Sequence, residues 1–360
     1  MKVIVTEYIS AKGHRNLFLN ICKLLRLGGA EVVAVVPNNY KEFIPSCKLI
    51  NHKYNYFTDI YQHSSMNMIK YSLRVQFAVN KIAKNEGADA IIVVSFDELG
   101  YAIGRFFSLR RIPQIVIQNS NIDRIEASRV RKIVFNLFKN EVSHIVLAGF
   151  IKKYMVDELC VSKNKVAVLP HPMLQMDNNL NRDIDLVGLS SGNDEDLISR
   201  LVEMEKLESI FSKNNLRVVL KSRKLSYDDK YLTIVKGYIP DEVFKDLIQR
   251  AKCIFAPYPL TYKYRMSAIL VDAMANNKSV IGIPIPVLVN AASHYTNSIR
   301  LFKMETFVKD IKELGEKNDL KNAEFREFQN YREDTVLCRQ LIDSLMNLIN
   351  GKPVFDVYDF

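Results

Sequence analysis

The sequence lacks the features that mark disulfide-rich, zinc-binding and membrane-spanning proteins. Its five cysteines lie far apart and include no CxxC pair, which fits neither a disulfide framework nor a zinc site. The longest apolar runs, such as VIGIPIPVLV, are shorter than the roughly 18 residues that a spanning helix needs. The opening MKVIVTEYIS has one lysine and a short apolar run, and predicts a first strand rather than a signal peptide. We therefore expect a globular cytoplasmic protein with reduced thiols.

Charge is distributed unevenly along the 360 residues. Residues 1–170 carry 24 Lys and Arg against 13 Asp and Glu, a net charge of +11. Residues 171–360 carry 26 against 27, a net charge of −1. A generally lysine-rich composition would make the net charge of both halves positive. The asymmetry therefore indicates a polyanionic partner for the first half: a membrane surface, a nucleic acid or an anionic ligand.

Short β-branched runs alternate with helical patterns along the whole chain. The first series runs from KVIVTEY to KVAVLPHP, and a second series begins at DIDLVGLSS. Continuous apolar strands separated by helices predict parallel sheets covered on both faces. The fold class is therefore α/β, with two Rossmann-like domains. We place their bounds at 1–172 and 173–335, followed by a C-terminal helix and tail at 336–360.

The loop after the first strand, EYISAKGHRN, contains the first candidate ligand residues. Gly13 would let the backbone approach a phosphate ahead of a helix N-terminus, with His14 beside it. A plain turn with a solvated histidine explains the same residues. The loop is not GxGxxG and no acid is placed to hold a nicotinamide ribose, which argues against a dehydrogenase.

Two adjacent acids follow a later apolar strand in the loop SFDELG. Asp97 or Glu98 would serve as a general base if its carboxylate reached an acceptor hydroxyl. Acids are also favourable in the first turn of any helix, because they interact with its positive end. The sequence leaves both interpretations open.

Two cations lie at the end of the strand VVLKSR in the second half. Lys221 and Arg223 alternate, so they lie on one face of the strand. Fixed positive charge there suits a diphosphate leaving group, whose charge grows as its bond to sugar breaks. The alternative is a pair of solvated basic residues.

The segment GYIPDEVFKDLIQRAKCIFAPYPLTYKYRMSAILVDAMANNKSVIGIP, Gly237–Pro284, resembles the donor-binding part of GT-B glycosyltransferases. The resemblance implies two Rossmann-like domains facing a central cleft, with the C-terminal helix returning to the first domain. It places Asp272 where that family has a glutamate that holds the nucleotide ribose. The resemblance implies that the diphosphate is cradled by Arg265, Met266, Ser267 and Ala268. It implies that Tyr238 and Ile239 touch the base.

Departures from the family pattern leave the stereochemistry open. Tyr264 stands where retaining members of the best-known branch carry a second glutamate, and no Arg/Lys pair occurs in GLSSGNDED. A DxD string, Asp183-Ile184-Asp185, lies at the start of a strand, the wrong end for a ligand, and we interpret it as structural. The histidines form no zinc-like cluster. We expect no metal or other cofactor, because GT-B enzymes use protein cations and helix dipoles.

Two basic segments of the first half, GRFFSLRR and SRVRKIVFNLFK, mix Arg and Lys with Phe, Ile and Leu. This mixture is typical of a protein that docks on an anionic membrane. We expect the apolar residues to be mostly core and the charges to be partly functional, with six basic side chains in contact with lipid: Arg105, Arg110, Arg111, Arg129, Arg131 and Lys132.

The resemblance and the charge together predict a cytoplasmic glycosyltransferase, peripheral on the inner face of the plasma membrane. It would move a sugar from a nucleotide-diphosphate donor, UDP-linked, to a growing lipid-linked glycan in bacterial surface-polysaccharide assembly. The alternatives are a GT-B-fold sugar-nucleotide epimerase and a non-catalytic GT-B-fold partner subunit. The basic half has no recognisable nucleic-acid motif, so we expect no nucleic-acid partner.

Overall fold

A computed structural model describes residues 1–9, 15–38, 47–54, 65–107, 112–174, 176, 181–316 and 324–354. The chain forms two compact units. Unit 1 comprises Met1–Pro172, Tyr264–Met266 and Arg332–Phe360, and unit 2 comprises Met173–Lys263 and Ser267–Tyr331. Each unit contains one seven-stranded sheet, which confirms the predicted α/β class with two Rossmann-like sheets.

The sheet of unit 1 is parallel throughout and has the strand order β3-β2-β1-β4-β5-β6-β7. Its strands are β1 (Lys2–Thr6), β2 (Glu31–Pro37), β3 (Lys48–His52), β4 (Ala90–Val93), β5 (Gln114–Gln118), β6 (Ser143–Val146) and β7 (Val166–Val168). The helices between them are α1 (Arg15–Leu27), α2 (Ser65–Glu86), α3 (Glu98–Phe107), α4 (Asn121–Glu126), α5 (Arg129–Phe138) and α6 (Gly149–Asp157). Central strands such as β4 are buried along their whole length, because helices cover both faces of a parallel sheet.

The sheet of unit 2 has the order β10-β11-β9-β8-β12-β13-β14, and only the β10–β11 pair is antiparallel. Its strands are β8 (Ile184–Gly188), β9 (Val218–Ser222), β10 (Tyr227–Asp228), β11 (Leu232–Lys236), β12 (Ala251–Ala256), β13 (Ser279–Gly282) and β14 (Ile299–Leu301). Its helices are α7 (Glu195–Glu208), α8 (Asp241–Arg250), α9 (Ala268–Ala275), α10 (Pro286–His294), α11 (Phe307–Glu316) and α12 (Arg326–Asn330). Short 3₁₀ turns cover Lys163–Lys165 in unit 1, and Ser212–Asn214 and Met304–Thr306 in unit 2.

The last helix, α13 (Asp334–Ile349), belongs to unit 1, where it packs against α1 and β7. It buries a stripe of leucines spaced at helical intervals: Leu337, Leu341, Leu345 and Leu348. This placement confirms that the C-terminal helix returns to the first part of the chain. Within the residues described, no helix combines the length and the apolar character that crossing a membrane requires.

Both sheets have a point where the strand order reverses. In unit 1 it lies between β1 and β4, and in unit 2 between β8 and β12. Loops that leave neighbouring strands in opposite directions open a crevice at such a point, which is where open α/β sheets bind ligands. These two crevices are therefore the candidate ligand-binding sites of the fold.

Candidate functional site

The crevice of unit 2 is formed by the turn Ser190–Ser191–Gly192 after β8 and by the loop after β12. The backbone N–H of Asp194 donates to the carbonyl of Pro257 at 2.6 Å and ties the two segments together. A Cβ on Gly192 would lie 2.0 Å from the hydroxyl of Tyr262, so any other residue there would require the Tyr262 ring to move. The two segments therefore contact each other directly at the switch point.

Helix α9 begins at this crevice. Ser267 is its N-cap, and the Ser267 hydroxyl accepts a hydrogen bond from the backbone N–H of Leu270 at 3.1 Å. The hydroxyls of Ser267 and Tyr258 lie 2.8 Å apart, and Ala268 is the first residue of the helix. A capped helix N-terminus directs N–H groups and partial positive charge into the crevice, an arrangement that favours a phosphate.

Asp272 lies one turn further along α9 and is 9% exposed. Its Oδ1 accepts the backbone N–H of Leu174 at 3.2 Å, and no described residue donates a hydrogen bond to Oδ2. Burial raises the pKa of this carboxyl from 3.8 to about 7, and the Leu174 hydrogen bond lowers it in part. Asp272 therefore retains one oxygen that can accept a hydrogen bond from a ligand hydroxyl.

The structure gives different partners to the two cations predicted at the end of β9. Lys221 is half-buried, and its Nζ donates to the Ser191 hydroxyl at 2.8 Å, which places the ammonium at the crevice. Burial lowers the pKa of Lys221. Arg223 instead pairs through Nε with Glu195 at 3.1 Å, and that carboxylate also accepts the Ser222 hydroxyl at 2.6 Å.

The remaining residues predicted to bind the nucleotide sugar lie on separate parts of the chain. Tyr238 and Ile239 follow β11 after Gly237, which has a φ of +83°; Tyr238 is 59% exposed and Ile239 is buried. Arg265 belongs to unit 1, where its Nε pairs with the carboxylate of Asp123. Their roles toward a nucleotide sugar stay predictions. Gly13 and His14 lie outside the described residues.

The crevice of unit 1 contains the two predicted catalytic acids, and both are buried. Asp97 caps α3 by accepting the backbone N–H groups of Leu99 and Gly100 through Oδ1, each at 3.1 Å. Its Oδ2 accepts Nη2 of Arg124 at 2.5 Å and Nη1 of Arg131 at 3.2 Å. Asp97 thus caps α3 through one oxygen and belongs to the ion-pair network through the other.

Glu98 shares these partners. Its Oε2 pairs with Arg124 at 2.9 Å and with Arg131, and its Oε1 accepts the Asn121 amide at 2.7 Å. Burial raises the pKa of Glu98, and the two guanidinium groups lower it in part. All four carboxylate oxygens of the pair are therefore engaged within unit 1, and a general-base role for either acid stays a prediction.

The DxD string lies at the start of β8, opposite the crevice. Asp183 pairs with Arg217 at 2.6 Å and with Arg250 at 2.7 Å, and the Arg250 hydrogen bond lowers the pKa of Asp183 to about 2. Asp185 pairs with Lys252 at 2.7 Å. Across the part of the chain that the structure describes, no three His, Cys, Asp or Glu side chains are grouped to hold a metal ion.

Sequence reasoning missed the polar side chains that shape both crevices. In unit 2 these are Ser190, Ser191 and Tyr258, and in unit 1 they are Arg124 and Asn121. The signal for the serines was present, since LSSG is a polar turn directly after an apolar strand. Nothing local marks Arg124 or Asn121, because their partners Asp97 and Glu98 are distant in sequence. Tyr258 meets the nearer Ser267 only through the fold of the loop after β12.

No family model and no curated protein matches the chain. Among solved structures, a sucrose-phosphate synthase from Thermosynechococcus elongatus superposes with a TM-score of 0.67 at 12% identity, covering 96% of this chain and 99% of the other. A Listeria monocytogenes protein assigned as a UDP-N-acetylglucosamine 2-epimerase gives 0.63 at 10% identity, covering 100% and 99%. WaaG, a glycosyltransferase involved in lipopolysaccharide biosynthesis, gives 0.62 at 10% identity, covering 95% and 99%. Likeness over almost the whole length of each chain, together with the two Rossmann-like sheets, shows that this protein has the GT-B fold of glycosyltransferases.

Proposed function

We propose that the protein is a glycosyltransferase that moves a sugar from a UDP-linked donor to a growing, lipid-linked glycan of a bacterial surface polysaccharide. The observation that carries the proposal is Asp272, whose open Oδ2 lies one turn beyond the capped N-terminus of α9. That spacing matches a nucleotide diphosphate, with the phosphates at the helix end and the ribose hydroxyls at the carboxylate.

The chemistry follows from where charge develops. As the bond between sugar and diphosphate breaks, negative charge grows on the phosphate oxygens. The N-terminus of α9 and the Lys221 ammonium lie at the same crevice, where both would stabilise that charge. A leaving group stabilised in this way needs no metal ion, and we expect turnover to persist in EDTA; loss of turnover that Mn²⁺ or Mg²⁺ restores would contradict this.

The structural neighbours support the donor and acceptor classes only by analogy. The Listeria protein is named for a UDP-sugar, and WaaG is named for lipopolysaccharide biosynthesis. The fold is also compatible with an epimerase, but nothing in the unit 2 crevice favours epimerisation over transfer. We therefore keep transfer as the proposal and make epimerisation an outcome of its test.

The test is a donor panel followed by a product assay. UDP-, GDP-, dTDP- and CMP-sugars are titrated against the protein by calorimetry, and UDP-sugars should bind most tightly. Release of UDP is then measured with and without lipid-linked glycan acceptors, and we expect acceptor-dependent release. A change in the sugar of an intact donor would assign an epimerase, and binding of no donor would assign a non-catalytic subunit.

A surface on unit 1 supports docking of the protein on an anionic membrane. Helix α5 exposes Val130, Ile133 and Leu137, which are 62%, 63% and 69% exposed and lie on one helical face. Arg129 and Lys132 on the same helix are also exposed. An apolar stripe beside basic side chains is the pattern of a helix that lies in a lipid interface.

This surface differs from the one expected from sequence. Phe135 and Phe138 of α5 are core residues as expected, but Val130, Ile133 and Leu137 face solvent. Arg131 pairs with Asp97 and Glu98, and Arg105 lies 3.8 Å from Glu141. The Arg105 side chain is only 17% exposed, whereas that of Lys132 is 46% exposed although its Nζ lies 3.9 Å from Glu126. The basic contacts proposed for lipid are therefore Arg129 and Lys132, and Arg110 and Arg111 lie outside the described residues.

A further inference from the structure

Two side chains on one face of α9, Asp272 and Asn276, hold the backbone of Leu174 and Met176 near the start of unit 2. They are four positions apart, which places them one above the other along the helix. The backbone N–H of Leu174 donates to Asp272 Oδ1 at 3.2 Å, and the backbone N–H of Met176 donates to Asn276 Oδ1 at 2.8 Å. All four residues belong to unit 2, so the arrangement lies within one compact unit.

Asn276 is the C-cap of α9 and is 1% exposed. Its Nδ2 donates to the backbone carbonyls of Leu174 and Asp272, each at 2.7 Å. Together with the Met176 N–H on Oδ1, these contacts fix the orientation of the amide, because a flipped amide would set its NH₂ against an N–H and its oxygen against two carbonyls. Leu174 is therefore held at both of its backbone polar groups, by Asp272 through N–H and by Asn276 through C=O.

The Leu174 N–H determines which way the Asp272 carboxylate faces. The terminal torsion of an aspartate side chain has broad energy wells, so a carboxylate without a fixed partner can rotate. A hydrogen bond to Oδ1 fixes the plane of the group and with it the direction of Oδ2, the oxygen left for a ligand hydroxyl. Asn276 provides further hydrogen bonds that keep Leu174 and Met176 beside the helix.

We propose that Asn276 is a positioning residue for nucleotide recognition: by holding Leu174 and Met176 against α9, it orients the Asp272 carboxylate toward the ribose hydroxyls. The inference rests on the proposed function, since it concerns the same carboxylate. Asn276 lies at the C-terminal end of α9, whereas the diphosphate is placed at the N-terminal end. Loss of Asn276 should therefore weaken recognition of ribose and leave the phosphate contacts unchanged.

The first test follows the backbone without a ligand. In Asn276→Ala, the amide hydrogens of Leu174 and Met176, resolved by NMR, should exchange at least about tenfold faster than in the parent, because the contacts that protect them are removed or weakened. Gln329→Ala is the matched control, since Gln329 Nε2 donates to two backbone carbonyls at the same end of α9 at 3.0 and 3.2 Å. Parental exchange rates at both amides in Asn276→Ala would overturn the proposal.

The second test compares UDP with 2′,3′-dideoxy-UDP, which lacks both ribose hydroxyls. Calorimetry is made at pH 8, where the Asp272 carboxyl is mostly ionised. The parent and Gln329→Ala should bind UDP at least about tenfold more tightly than the dideoxy compound. In Asn276→Ala this preference should fall below about threefold, while affinity for the dideoxy compound stays within about twofold of the parental value. A general loss of structure would instead lower both affinities alike.

The outcomes separate this inference from the function on which it rests. A parent that binds the two nucleotides equally, or binds neither, would contradict the contact between Asp272 and ribose and the inference with it. A parent that discriminates, with an Asn276→Ala variant that discriminates equally, would contradict only the positioning role. If Asn276→Ala does not fold, Asn276→Ser takes its place, because a serine hydroxyl can still donate to the Asp272 carbonyl but is too short to hold Leu174 and Met176.

Discussion

The Asp272 carboxyl titrates in a range where binding experiments are easily made. Because its pKa is raised to about 7, the side chain must lose a proton before it can accept ribose hydroxyls as a carboxylate. We expect the affinity for UDP-glucose to rise between pH 6 and pH 8. Asp272→Asn should weaken binding by about 1.5–3 kcal/mol at pH 8, about 10- to 150-fold in Kd, and should remove the pH dependence. Calorimetry across this pH range measures both effects.

The stability of the same variant provides the control. The folded state holds the Asp272 proton up to about pH 7, whereas the unfolded chain releases it near 3.8. Its contribution to stability is therefore complete below pH 3.8 and is lost as the pH rises toward 7. Asp272→Asn should be folded at pH 8 by thermal unfolding. Unchanged nucleotide affinity in that folded variant would remove Asp272 from the site.

Substitution of Glu98 distinguishes a role in stabilising unit 1 from a role in catalysis. Its side chain is fully buried against Arg124 and Arg131, so Glu98→Ala leaves two guanidinium groups with one acceptor fewer. We expect a loss of about 2–3 kcal/mol in the free energy of unfolding, measured in urea. Glu31→Ala, which breaks the exposed Lys2–Glu31 pair, should cost about 0–1 kcal/mol. Turnover of the folded Glu98 variant reduced by about 10²–10⁴ would instead support the general base.

At the scale of an element, the N-terminus of α9 has a structural role and a binding role that substitution can separate. Ser267→Ala removes the cap and should cost about 1 kcal/mol of unfolding free energy. Ser267→Asp keeps an oxygen acceptor for the Leu270 N–H, and stability should stay near that of the parent. Its negative charge should nevertheless weaken UDP-sugar binding by at least about tenfold, since it faces the diphosphate. Equal affinity in the parent and Ser267→Asp would place the diphosphate elsewhere.

At the scale of the whole molecule, the charge asymmetry predicts salt-dependent membrane binding. Each basic residue near an anionic surface contributes about 1 kcal/mol, and the attraction fades over about 8 Å at physiological salt. Co-sedimentation with phosphatidylglycerol vesicles should be strong at low salt and lost at high salt, and neutral vesicles should bind weakly. Equal binding to both vesicle types would contradict this prediction.

The α5 stripe allows a matched comparison in the same assay. Ile133→Asp replaces an exposed apolar residue of α5, and Leu207→Asp does the same on α7 of unit 2, where Leu207 is 84% exposed. Both substitutions should change stability by less than about 0.5 kcal/mol. Only Ile133→Asp should reduce binding to anionic vesicles. An equal effect of the two variants would show that α5 is not the docking surface.

The sequence alone determined the two-sheet plan and the placement of Ser267 and Asp272 on one helix. Both rest on local relations, because strand and helix periodicity, and a spacing of five residues along α9, do not depend on distant contacts. The tertiary structure decided the environment of each side chain. Burial raised the pKa of Asp272, distant arginines engaged Asp97 and Glu98, and packing of α5 through Phe135 and Phe138 left Ile133 in solvent. Sequence could not supply these outcomes, because burial and pairing depend on which distant elements pack together.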